Sequence, residues 1–209
     1  MNTYSLLLVL LIILNIMAFV SNHLLVSDTL YFNNFAEQLT YEQIENIILR
    51  NKEWGWSGYI LLPLLILVKI TLVASCISIG IIFLTINLPF RQIFRLVLEA
   101  EFIFLLPMLL KILWFLFIQT NYNLQDLQYF YPLSALHFFD YNTLQPWLLY
   151  PIQLLNVFEV LYWIVLSRGI SKIIQRDLDK SFEVVLASYG TGLLLWVAVV
   201  MFITVSFSS

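Results

Sequence analysis

The chain has 209 residues, 61% of them hydrophobic and 11% charged, with a mean hydropathy of +0.90. So little charge excludes an ordinary soluble domain, which carries about twice as much, and the small net charge of −3 excludes a basic nucleic-acid surface. A single Cys76 excludes an internal disulfide and a thiolate metal cluster, and His23 and His137 stand far apart in sequence, so neither a metal nor another cofactor is expected.

The first apolar run, residues 4–24, lies in "MNTYSLLLVLLIILNIMAFVSNHLLV". It has no positive region before it and no A-x-A site after it, so an uncleaved transmembrane helix is expected rather than a signal peptide. In residues 40–53, Thr40 and Gln43 stand at capping-box spacing, and Ile44, Ile47 and Ile48 share one helical face. That pattern predicts a short amphipathic helix on the outer membrane–water interface or on the other helices. A second span over 58–86 begins behind Trp54, Trp56 and Tyr59 and carries Lys69, Pro63 and the small pairs Ala74/Ser78 and Cys76/Gly80.

The third span, 96–119, holds Glu99, Glu101, Pro107 and Lys111. Pro63 and Pro107 are expected to kink their helices. The next connection, "NYNLQDLQYFYPLSALHFFDYNTLQPW", is unusually aromatic, and either lies at the interface or dips back into the membrane. A fourth span over 146–167 includes "QLLNVFEVLYW", in which Gln153, Asn156, Glu159 and Tyr162 form a slanting polar stripe. The fifth, 184–205, opens on the small-residue face "ASYGTG". Each span is long enough to cross about 30 Å of hydrocarbon, and only helices satisfy their backbone there. The expected fold is therefore all-α: one polytopic helical bundle, residues 1–209, with about five transmembrane helices.

Basic residues set the orientation. Arg91, Arg95, Arg168, Lys172, Arg176 and Lys180 fall in two connections on one side, against Arg50 and Lys52 on the other. The N-terminus is expected in the cytoplasm and the C-terminus outside.

Ionisable residues inside the spans cost a few kcal/mol each, so they need partners or water. Counted from the outer helix ends, Lys69 lies about 16 Å deep, Lys111 about 12 Å and Glu159 about 20 Å. Two readings follow for Lys69, Lys111, Glu159, Asn156 and Gln153: a buried ion-pair cluster joining three helices, or a polar cavity in which Glu159 titrates. Glu99 and Glu101 are expected near the cytoplasmic end, within reach of Arg91 or Arg95. His137 and Asp140 lack a nucleophile or metal partner. No G-x-S-x-G, H-E-x-x-H or Walker motif occurs, and Gly190 and Gly192 follow no strand, so no catalytic residue is assigned and no enzyme is expected.

"LSRGISKIIQRDLDKSFEVVLASYG" resembles the basic loop and last helix of bacterial Yip-like small polytopic proteins. With "AEFIF", "YPLSAL" and "NVFEVLYW", the chain also resembles membrane proteins of Bacteroidota. The resemblance implies a five-helix bundle in the bacterial inner membrane and carries over no functional residue. Two functions remain open. One is a non-enzymatic membrane subunit or scaffold held in the bilayer with a membrane-protein partner or a second copy. The other is a transporter or channel component using the Lys/Glu cluster.

Overall fold

In the computed structural model, which describes residues 2–208, the fold is 82% helical, with no strand among the described residues. Met1 and Ser209, the ends of the expected single domain, lie outside the described residues. Helix α1 runs over Thr3–Leu25, and α2, over Asp28–Phe35, is capped by Ser27, whose hydroxyl oxygen accepts from the Leu30 N–H. Helix α3 is Tyr41–Phe83, and α4, Phe90–Glu101, is followed by a 3-10 turn at Phe102–Phe104 and α5, Leu105–Phe117. The third connection holds α6, Leu124–Tyr129, and a second 3-10 turn at Ala135–Phe138. After it come α7, Pro146–Leu154, α8, Val157–Ile174, and α9, Leu178–Val185. A π-helical turn, Leu186–Gly190, leads into α10, Thr191–Ser208.

Four stretches are long and apolar enough to cross a membrane: Thr3–Leu25, Tyr41–Phe83, Phe90–Phe117 and Leu178–Phe207. The remaining expected span, the fourth, 146–167, is not one helix. It divides at Leu155–Asn156 into α7 and α8.

The expected amphipathic segment 40–53 is not separate either. Thr40 and Gln43 form the capping box that starts α3, and the helix then continues through Gly55, Gly58 and Pro63 for 43 residues. At 1.5 Å per residue α3 is about 64 Å long, twice the hydrocarbon thickness. Ile44 and Ile48 are buried where α2 packs against the first turns of α3. Lys52 pairs with Asp28 at 2.7 Å, Asn51 Nδ2 donates to the Tyr31 hydroxyl at 3.0 Å, and Phe32 stacks on Tyr41. The apolar face thus meets protein instead of the membrane surface.

The main core lies among α1, α3, α4, α8 and the π turn, around Leu10, Ile70, Ile77, Val97, Tyr162 and Leu166. Lipid chains are as apolar as these residues, so close fit rather than water exclusion holds the helices together. The small faces supply that fit. A Cβ on Gly80 would come within 2.6 Å of Ser188 Cβ, and one on Gly192 within 2.8 Å of Cys76 Sγ. Helix α3 therefore packs backbone-close on the π turn and α10. A smaller core, with Leu25, Leu30, Ile112, Phe115 and Leu127, ties α1, α2 and α5 to the third connection.

Candidate functional site

The division between α7 and α8 leaves backbone groups that a membrane interior would not tolerate unpaired. The third connection satisfies them. Ser134 and Asn156 form an antiparallel bridge, in which the Ala135 N–H donates to the Leu155 carbonyl (2.8 Å) and the Val157 N–H to the Leu133 carbonyl (3.3 Å). The Ser134 hydroxyl donates to the Gln153 carbonyl at 3.0 Å, and Asn156 Nδ2 lies 3.0 Å from the Leu154 carbonyl. At the start of α8, Asn156 Oδ1 accepts from the Glu159 N–H at 2.8 Å, a side-chain N-cap. The connection therefore folds back onto the middle of the fourth expected span.

Glu159 sits in the first turn of α8, where the helix dipole favours a carboxylate. Its Oε1 accepts from the Tyr189 hydroxyl at 2.6 Å and from Trp163 Nε1 at 2.9 Å. Tyr189 belongs to the π turn, which shifts the register of the α9–α10 helix where that hydroxyl is needed.

The neighbouring 3-10 turn places the second carboxylate. Pro107 has no N–H for the Ile103 carbonyl, and the helix changes to a 3-10 turn over Phe102–Phe104. Glu101, just before that turn, is 2% exposed and forms an ion pair with Lys69, whose side chain is 40% exposed. The Lys69 ammonium lies 3.9 Å from the Phe104 ring centroid and 5.7 Å from that of Tyr162. Glu101 Oε2 and the Tyr162 hydroxyl are buried without a hydrogen bond of good geometry. The Tyr162 ring meets Phe104 on one side and Tyr189 on the other, at 5.0 and 5.5 Å between centroids. The three helical interruptions thus converge on one aromatic-lined pair of carboxylates.

This arrangement regroups the residues singled out from sequence. Lys69 is joined to Glu101, not Glu159. Lys111 donates to the Leu127 carbonyl and anchors the third connection. No hydrogen bond or ion pair joins Lys69, Lys111 and Glu159 among the described residues. Helix α3 begins at Tyr41 rather than Gly58, and the partner of Lys69 is set by the packing of α3 on α4. Asn156 and Gln153 serve the break, through the cap and a backbone carbonyl. Glu99 pairs with Arg95 at 2.9 Å, as its position near the basic connection suggests. Glu101, two residues on and about 200° around the helix, faces the core instead of Arg91 or Arg95. Asp140 accepts from Asn142 in a local turn, while the His137 ring packs edge-on to Phe130.

An open cleft of about 1340 Å³ runs beside the break, with Leu113 and Phe117 of α5, Phe138 of the connection, and Leu155, Glu159 and Val160 in its wall. Leu133, at its rim, has φ 54°. In the connection, burial raises the Tyr131 phenol pKa, with further contributions from the charges of Glu159 and Glu101. Tyr189, Trp163, Ser134 and Phe104 are site residues that sequence reasoning does not single out. Tyr189 lies within the small-residue run "ASYGTG", and only its closeness to Gly190 hints at an unusual turn. No family model, curated protein or solved structure matches the chain.

Proposed function

We propose that this chain is a component of a membrane transporter or channel, in which Glu159 at the interrupted helix is the group that meets the ligand or proton. One observation carries the reading. Glu159 holds Tyr189 and Trp163 through Oε1 alone, while the same residue lines the cleft. A carboxylate needed only to cap a helix or join helices has no reason to face an open cleft. Discontinuous helices with a polar group at the break are a recurring way to build midplane sites in transporters. The orientation argued from Lys and Arg placement, N-terminus cytoplasmic and C-terminus outside, puts the third connection on the outer side of a bacterial inner membrane. A Yip-like relationship belongs to the same reading and rests on the sequence resemblance.

Proteoliposomes holding the wild-type protein and a pH-sensitive dye, under an imposed membrane potential, test this directly. The expected result is proton movement that Glu159→Gln removes while thermal stability stays near that of the wild type. A variant that loses stability, in a protein that moves no protons to begin with, defeats the reading.

A second reading, a non-enzymatic subunit that assembles with a partner membrane protein or a second copy, is favoured by the α2–α3 hairpin. Its exposed charges, Glu42, Glu45, Arg50 and Glu53, lie on a helix twice as long as the bilayer requires. Co-elution of one protein at stoichiometric amount in mild detergent would support it.

A further inference from the structure

Next to the apolar cleft lies a smaller chamber of about 200 Å³, built by the third connection. Its wall includes Tyr129, Tyr131, Tyr141 and Asp126. The chamber and the cleft share two lining residues, Phe130 and His137. Their rings meet edge to face with centroids 5.0 Å apart, and the two spaces adjoin at this pair.

The two spaces differ in chemistry. The cleft is walled by aliphatic and aromatic side chains and, at about 1340 Å³, exceeds the roughly 300–1,000 Å³ of ordinary ligand pockets. An elongated hydrocarbon chain is the occupant that such a space suits. The chamber is small, tyrosine-rich and acidic. Tyr129 and Tyr141 lie 5.2 Å apart between centroids, and the Tyr141 hydroxyl donates to Asp126 Oδ1 at 2.9 Å. Asp126 Oδ2 accepts from the Asn123 N–H in the cap of α6, which fixes the carboxylate in place.

Charge decides the headgroup. No Lys or Arg lines either space, and the carboxylates that do, Asp126 and Glu159, form no ion pair among the described residues. A phosphate, sulfate or carboxylate headgroup would face these carboxylates with no Lys or Arg in the lining to pair with, since Lys111 beside the two spaces is engaged at the Leu127 carbonyl. An ammonium group would find an unneutralised carboxylate and several tyrosine π faces, the combination that recognises alkylammonium ions elsewhere.

We propose that the cleft and the chamber together bind one amphiphile, a long-chain cation, with its aliphatic chain in the cleft and its ammonium head among Tyr129, Tyr131, Tyr141 and Asp126. This deepens the reading above, and rests on it in one respect: the cleft at the helix break is where a ligand sits. A carboxylate-lined path also suits exchange of an organic cation for protons, the traffic that Glu159 would serve.

The test uses the full chain in maltoside micelles and three probes of equal chain length: hexadecyltrimethylammonium, hexadecanol and hexadecyl phosphate. Native mass spectrometry counts bound probe per chain across a titration. One molecule of the cation is expected to bind about tenfold more tightly than the alcohol, and the phosphate weakest. Asp126→Asn keeps the cap through its amide oxygen, with its amide N–H donating to the Tyr141 hydroxyl in place of the present bond, but removes the charge, and should erase the preference for the cation. Val160→Trp, at an exposed cleft position, should weaken all three probes alike. Equal binding of cation and alcohol, unchanged by Asp126→Asn, overturns the headgroup assignment and leaves the cleft as a ligand site. Binding of none of the probes, or binding indifferent to Val160→Trp, removes the cleft as well. Saturable binding of the cation without proton movement in the liposome assay upholds this inference and defeats the transport reading.

Discussion

The Lys69–Glu101 pair gives a prediction whose size differs between its two members. Glu101 is 2% exposed and Lys69 40%, so the carboxylate depends on the ammonium far more than the reverse. Lys69→Met leaves a carboxylate in the core with no cation beside it. Removing one partner of a buried pair in this way costs about 3–5 kcal/mol. Glu101→Gln leaves Lys69 facing Phe104 and Tyr162, with a flexible stem that reaches toward more polar surroundings, and should cost about 1–3 kcal/mol. The double variant Lys69→Met/Glu101→Leu removes both charges and the orphaned Glu101 Oε2, and should return to within about 1 kcal/mol of the wild type. Unfolding in detergent micelles, followed by circular dichroism across a denaturant series, measures all three differences under one condition. Additive single losses in the double variant, or a larger loss for Glu101→Gln than for Lys69→Met, would refute the reasoning.

Other positions test separate parts of the fold. Gly80→Ala should destabilise by about 1–3 kcal/mol, because its Cβ meets Ser188 Cβ and not a flexible tip. In a thermal scan of both variants, Gly58→Ala should instead stabilise α3 by about 0.5–1 kcal/mol, since nothing lies within 4 Å of the added carbon. Exposed Gln175 ends α8 in the left-handed region at φ 53°, so Gln175→Gly should raise stability by up to about 1 kcal/mol, read as a higher unfolding midpoint. Asn156→Ala removes the cap of α8 and the donor to the Leu154 carbonyl, and should cost about 1–3 kcal/mol and speed amide exchange over residues 154–159. The Tyr131 phenol, with its pKa raised chiefly by burial, contributes stability that is fully present below the unperturbed value of 10.0 and is lost as pH rises through the folded value. In an absorbance titration of tyrosinate, Tyr131→Phe should therefore remove a late-ionising component, and Glu159→Gln should bring that component to lower pH.

Hydropathy and helical periodicity located the apolar stretches well, because a membrane helix must satisfy its backbone internally and advertises itself in about twenty consecutive side chains. The same signal misreads 146–167. "PIQLLNVFEVLYW" is apolar enough for a continuous helix, and its division depends on Ser134 and Leu133, some twenty residues upstream, which take over the backbone bonds. No local pattern announces that substitution. The amphipathic run from Tyr41 was legible as a helix with an Ile face, but the face meets α2, and nothing at Gly55 or Gly58 is strong enough to end the helix before the span begins. Among the site residues, the need of Lys69 for an acidic partner was readable from the cost of a lone charge. The choice of Glu101 over Glu159 depended on the 3-10 turn before Pro107 and on which helix face turns inward, both properties of the packed bundle.

The length of α3 has a mechanical consequence. Lys69 and the core residues Ile70 to Ile81 share one continuous helix with the hairpin at Tyr41 to Lys52, so no linker separates the two. The hairpin tip and the ion pair thus stand about 40 Å apart on one helical body, and between them Pro63 is the residue that gives up a backbone hydrogen bond, so any bending of that body is concentrated there.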